Sequence, residues 1–254
     1  MNLRILIGNL LRKFGYKIEK VNPERYCKML DVESFLELFF SMVDSKKFRF
    51  VQVGANDGKT NDPLYHYVKK YNLKGILVEP QKDVFEELKK TYEGVSGLIF
   101  ENAAIYTEDG KTFIYSIKPK YGKIYEENSD TAKATGVTSF DKAHLLKNLR
   151  KKVDKRIKAE ELSKYIDEIE IPTLTFDSLL KKHSIDDFDF LQIDTEGFDY
   201  EIIKMVDFEK YKPKMINYEE QNLSEKDTIE CRRFLRNKGY SLFRHGRDVL
   251  AVRL

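Results

Sequence analysis

The chain has 254 residues, 41% hydrophobic and 34% charged, with a formal net charge of +3 at pH 7. This length and apolar fraction suit one large α/β domain, or one domain with an inserted subdomain, around a sizeable core. The near balance of charge argues against a dedicated nucleic-acid binder, and no apolar run reaches the length of a membrane span.

Residues 1–14 hold an apolar stretch broken by Asn9 and lacking a small-residue cleavage site, so it is not read as a signal peptide. The expectation is an amphipathic helix packed on its own domain or on a second subunit, with a membrane-surface helix as the alternative. Residues 1–47 together read as an N-terminal helical segment, because Val32, Phe35, Leu36, Phe39 and Phe40 recur at i, i+3, i+4 spacing. Such helices, if exposed, suggest a homodimer. Cys27 and Cys231 lie far apart with no C-x-x-C pairing, and they read as reduced thiols of a cytoplasmic protein.

From residue 48 to 254 the pattern alternates, defining the second predicted domain. Strands are expected at 48–53, 75–79, 97–105, 188–193, 214–219, 240–244 and 248–253, with helices between them such as 83–92 and 199–206. Alternation of this kind predicts a parallel sheet wrapped by helices. The last two strands are joined only by His245-Gly246-Arg247-Asp248, too short for a parallel crossover, so they form a hairpin. Residues 118–168 break the alternation and read as an insertion. It is turn-rich to residue 136, then helical, carrying Lys142, Lys147, Arg150, Lys151, Lys152, Lys155, Arg156 and Lys158. That charge run is either a solvated helix face or a lid offering cations to a phosphorylated or nucleotide-linked substrate.

The chemistry concentrates at strand ends. The first strand runs into Val53-Gly54-Ala55-Asn56-Asp57-Gly58, and the next ends at Glu79. A glycine turn admits close approach of a ligand to the backbone, and an acid on the following strand can grip a ribose diol. No G-x-G-x-x-G is present, so a ligand with one nucleoside and no pyrophosphate, S-adenosylmethionine first, is the candidate. A third strand ends in Asp194-Thr195-Glu196-Gly197, with Asp199 read as a helix N-cap. A fourth ends in Glu219-Glu220.

Transfer of a methyl from such a sulfonium to an alcohol oxygen, the reaction that the family resemblance of these motifs implies, needs alignment and a proton acceptor. Asp194 is the first choice for that base or its orienting partner, and Glu196 stands beside it. His66, in the helix that opens near Pro63, is the second candidate, against the plain reading of an exposed helix residue. Tyr65, Glu219, Glu220, His245 and Arg247 are candidate substrate contacts, since the hairpin turn falls on the ligand side if its first strand is parallel to the rest. His245 as an ordinary loop histidine remains the alternative. No metal site is expected, although Asp194, Glu219 and Glu220 could offer oxygens to Mg²⁺ or Mn²⁺.

The series V-G-A-N-D-G, L-V-E-P, N-A-A-I (Asn102 to Ile105), L-x-F-D (Leu174 to Asp177) and I-D-T-E-G-F-D-Y-E-I resembles the FkbM family of S-adenosylmethionine-dependent methyltransferases over roughly residues 48–253. The resemblance implies a Rossmann-like class I methyltransferase fold: a mostly parallel seven-stranded sheet with a terminal antiparallel hairpin, here with N-terminal helices and a helical lid insertion. It implies that Gly54, Ala55, Asn56 and Asp57 line the methionine end of the cofactor. Glu79 would hold the ribose, Asn102 and Ala103 would flank adenine, and Asp194 and Glu196 would face the transferred methyl or the acceptor. It further implies O-methylation of a sugar hydroxyl, such as that of a nucleotide-activated hexose or heptose (a GDP-heptose, for example) for a capsular or other surface polysaccharide. Tyr121, Tyr125 and Tyr165 could then stack on a base or sugar ring. A lipid, natural-product or RNA acceptor, or a non-catalytic cofactor-binding scaffold, is the alternative.

Overall fold

The computed structural model describes residues 32–118, 138–152 and 159–253. The apolar N-terminal stretch, Cys27, Tyr121, Tyr125, Lys155, Arg156, Lys158 and the side chains of Lys151 and Lys152 lie outside what it describes.

Helix α1 (Val32–Met42) buries the five apolar residues of its stripe. The Phe40 ring stacks on Tyr67 at 5.1 Å and meets Phe48 edge-on at 5.0 Å. This face therefore packs on the chain's own domain. The elements then run β1 (Arg49–Val53), α2 (Tyr65–Tyr71), β2 (Lys74–Val78), α3 (Lys82–Thr91) and β3 (Leu98–Glu101). A second group follows: β4 (Ala104–Ile105), β5 (Gly110–Ile117), β6 (Thr138–Ser139), α4 (Lys142–Lys152), α5 (Ala159–Leu162) and β7 (Ile166–Leu174). The chain closes with α6 (Phe176–Lys182), β8 (Phe190–Ile193), α7 (Asp199–Met205), β9 (Met215–Glu219), α8 (Glu225–Asn237), β10 (Tyr240–His245) and β11 (Asp248–Arg253).

Two sheets form where a single one is expected from sequence. The larger has seven strands in the order β10-β11-β9-β8-β1-β2-β3. Strands β3, β2, β1, β8 and β9 pair in parallel, while β11 runs antiparallel to both β9 and β10. Alternate side chains face opposite layers. Phe50, Phe190 and Met215 pack under α1, α2 and α3, whereas Val51, Leu191 and Ile216 pack with α6, α7 and α8.

The smaller sheet has four strands, β4-β7-β5-β6. It corrects one expectation. The predicted strand at 97–105 is two strands in different sheets, broken at Asn102 and Ala103. The segment read as an insertion, 118–168, connects two strands of an antiparallel ladder, in which β5 pairs β7 from Gly110↔Thr173 to Ile117↔Ile166. Helix α4 sits on that ladder through Leu145 and Leu149, buried with Ile117, Leu162 and Ile166. Half-buried Tyr165 packs against the same cluster.

Candidate active site

The carboxyl ends of β1, β2 and β8 open into a cavity, where ligands enter open α/β sheets. Its apolar strip comprises Val53, Val78, Ala103, Ala104, Ile105 and Ile114; Gly54, Asn56, Glu79, Asp194, Thr195 and Glu196 supply its polar wall. Gly54 sets the turn after β1. Its φ is +78°, and a Cβ there would lie 1.8 Å from the Asp194 carbonyl oxygen, so only glycine lets the two strand ends approach.

Glu79 is buried, and each of its oxygens accepts a backbone N–H, from Asn56 at 3.0 Å and Gln81 at 2.9 Å. Burial pushes its pKa up to about 7. Each carboxylate oxygen keeps a lone pair after those bonds. Asn102 does not line the cavity: its Nδ2 donates to the Glu79 and Pro80 carbonyls at 2.8 and 3.0 Å, holding the strand end. Ala55 and Asp57 are likewise behind the wall. Ala55 donates its N–H to the Val78 carbonyl, and Asp57 accepts from the Lys59 and Thr60 amides and the Thr60 hydroxyl, shaping the loop.

Asp194, Glu196 and Glu219 bring carboxylate oxygens within 4.8 Å of one another, and they are the group among the described residues that could hold a metal ion. The expected trio is corrected at one member. Glu220 projects from the β9 end to an ion pair with Arg232 (Nε at 2.9 Å) and lies 3.6 Å from Arg244. Two guanidiniums occupy it, and Glu196 stands in its place beside Asp194 and Glu219. Burial followed by mutual repulsion raises Glu196 to about 8 and Glu219 to about 9. Asp194 opens onto the cleft, and the surrounding protein raises its pKa too, against the pull of Arg247. Arg247 itself is exposed, with Nη1 3.5 Å from Glu219.

Asp199 is not the N-cap expected from sequence; Phe198 holds that position. Asp199 is fully buried and accepts from the Thr195 amide and hydroxyl and from the Glu219 amide. It thereby ties the Glu196 loop to the end of β9. Asn222 completes the tie, donating Nδ2 to Glu196 at 2.7 Å and to Glu219 at 2.5 Å. Sequence reasoning missed it, although it follows the acids by only three positions.

Beside the first cavity lies a second, sharing Ser139, Phe140, Thr195 and Glu196 with it. His144 and Lys147 of α4 line it; Lys147 was expected only as part of the basic run, and His144 was not singled out at all. Three expected contacts fall elsewhere. His66 is exposed on α2, its ring edge-on to Tyr67, because α2 begins at Tyr65 and turns that residue to solvent. Tyr65 packs near Tyr92 and lines neither cavity. His245 pairs Nε2 with Asn217 Oδ1 at 2.8 Å, and burial lowers its pKa to about 4, so it is a neutral member of a buried polar row.

No curated protein matches the chain. Among solved structures, similarity extends to the methyltransferase FkbM of Methylobacillus flagellatus KT, 12% identical over 84% of this chain and 45% of that one, with a TM-score of 0.47. The METTL16 MTase domain is 16% identical over 98% and 78% of the two chains, TM-score 0.44, and the CurJ carbon methyltransferase 8% over 87% and 52%, TM-score 0.44. The chain therefore spans less than half the length of the Methylobacillus protein. The family assignment rests on the family model instead: the methyltransferase FkbM domain matches residues 52–242, from β1 to β10. By that match the chain belongs to the FkbM methyltransferase family.

Proposed function

We propose that the protein is a cytoplasmic S-adenosylmethionine-dependent O-methyltransferase whose acceptor is a sugar hydroxyl, borne by a nucleotide-activated hexose or heptose destined for a surface polysaccharide. The observation that carries the reading is the continuity of Glu79, the apolar strip and the carboxylates along one cavity. The fit to the donor is chemical. The strip of Val53, Val78 and Ala103 to Ile105 suits a base, and the free lone pairs of Glu79 suit a ribose diol. The sugar assignment draws on the family resemblance and on a neighbouring cavity that combines aromatic rings with amides and hydroxyls.

S-adenosylmethionine supplies an activated methyl that passes to the acceptor oxygen, leaving S-adenosylhomocysteine and one proton for the protein to take. Glu196 lines both cavities, whereas Asp194 lines the first alone, so the proton acceptor is assigned to Glu196. A carboxylate held near pH 8 is a better match to an alcohol proton than one at its ordinary value. Asp194 faces the donor side, where its charge favours a cation. Asn222 holds Glu196 in place, and Asp199 ties the Thr195 end of the same loop.

Titration calorimetry with S-adenosylhomocysteine tests the donor half, and release of that product from a panel of nucleotide sugars tests the acceptor half. Micromolar binding with turnover on a sugar is expected. Binding without turnover on any sugar, but with turnover on a lipid, polyketide or RNA hydroxyl, would replace the acceptor class. No binding at all would reject the enzyme reading in favour of a scaffold.

A further inference from the structure

The second cavity is unused by the donor. Its walls come from α4, the loop between β8 and α7, and the loop after β9, and it meets the first at Glu196. Phe140 and Phe198 form an aromatic floor, ring centroids 4.9 Å apart, with Tyr106 against both at 5.0 and 5.4 Å. Gln221 and Asn222 add amides.

The charges on its wall are not equivalent. Asp141 accepts the Ala143 amide at 2.8 Å at the start of α4, and Asp227 accepts the Ser224 hydroxyl at 2.6 Å at the start of α8. Both acids also hold helix ends and keep their negative charge, so the cationic end of the wall is that of Lys147. Lys147 makes no ion pair among the described residues, and it stands one turn from His144 on α4, a face distinct from the one that buries Leu145 and Leu149. A cavity with an aromatic floor, the Gln221 amide and the Lys147 ammonium beside His144 at its rim has a lining suited to a hydroxylated ring carrying an anion at the Lys147 end.

We infer that this cavity is the acceptor site. It takes a sugar with a phosphate substituent, the ring lying on Phe140 and Phe198, the anion on His144 and Lys147, and the reacting hydroxyl at Glu196. The assignment rests on the reading that the first cavity holds the methyl donor.

Calorimetry separates the two. Wild-type protein, a Lys147→Glu variant and a His144→Ala/Lys147→Ala double variant are titrated first with S-adenosylhomocysteine, then, saturated with it, with GDP-mannose and with mannose 1-phosphate. The expected result is unchanged product affinity, within twofold, in all three proteins. At least one of the two sugars binds wild type and loses tenfold or more in both variants; which one binds distinguishes a nucleotide sugar from a simple sugar phosphate. Circular dichroism checks that the variants, altered only at exposed or half-buried positions, remain folded. Equal sugar affinity in wild type and variants, or no binding of either sugar to the wild-type complex, would overturn the assignment. Failure of wild type to bind S-adenosylhomocysteine would instead remove the donor reading, and the acceptor assignment with it.

Discussion

The two sheets differ in how their strands find one another. In the seven-stranded sheet β1, β2 and β3, and likewise β8 and β9, are parallel neighbours one βα unit apart, the β1–β8 pair joins these two runs, and both faces are covered by helices. In the four-stranded sheet the main ladder joins Gly110 to Thr173 and Ile117 to Ile166 across a long intervening segment, and its buried clusters are small. Yet the smaller sheet contributes Ile114 and the Thr138–Ser139 strand to the cavity at the carboxyl ends of β1, β2 and β8. The large sheet presents the chemistry; the small one encloses it.

The contrast is broken most severely at the hinge of the large sheet. Gly54→Ala forces a side chain into the Asp194 carbonyl at a positive φ, and the expected result is loss of S-adenosylhomocysteine binding in calorimetry together with a lowered yield of folded protein. Next comes packing. Ile216→Ala, at a fully buried position of the large sheet, is expected to cost about 2–5 kcal/mol in urea denaturation. Phe113→Ala, on the smaller sheet and 49% exposed, is expected to change stability by no more than about 0.5 kcal/mol. Equal costs would show that the small sheet is as much a part of the core as the large one.

Smaller effects sharpen the division of labour at the rim. Glu79→Gln removes a charged acceptor from the donor cavity and is expected to weaken S-adenosylhomocysteine about 10- to 100-fold by calorimetry, without changing the circular dichroism spectrum. Wild-type binding should also weaken as pH falls below about 7, where Glu79 takes up a proton.

The acid cluster predicts a pH trend in stability. Asp199, Glu196 and Glu219 have folded pKa values near 7, 8 and 9, above their ordinary ones, so the folded chain binds protons more tightly than the unfolded. The stabilisation is fully present below the unfolded values near 4 and is lost as pH rises through about 7 to 9. The Tm of the ligand-free protein should fall over that window, and Glu219→Gln should flatten the fall, raising Tm at pH 9 by a few degrees, about 2–4 °C per kcal/mol. A steeper fall in the variant would mean that the carboxylates attract rather than repel, through a shared proton or cation.

Period-two and period-3.6 apolar patterns, the glycine turn after β1 and acids at strand ends are local, and each follows from the chain's own neighbours in sequence. They were enough to place β1, β2, β8, β9 and the terminal hairpin, and to mark Gly54, Asn56, Glu79, Asp194 and Glu196 as rim residues. The roles of Asp57, Asn102 and Asp199 were not readable in the same way. A polar side chain at a strand end can face a ligand or satisfy a backbone amide, and only the fold shows which donor reaches it first. Glu219 and Glu220 make the same point most sharply. Adjacent in sequence and identical in chemistry, one joins the acid cluster and the other is taken by Arg232 and Arg244, because successive residues at a strand end point opposite ways. The small sheet, and with it the wall that carries His144 and Lys147, depends on pairing between distant segments, which no local pattern encodes.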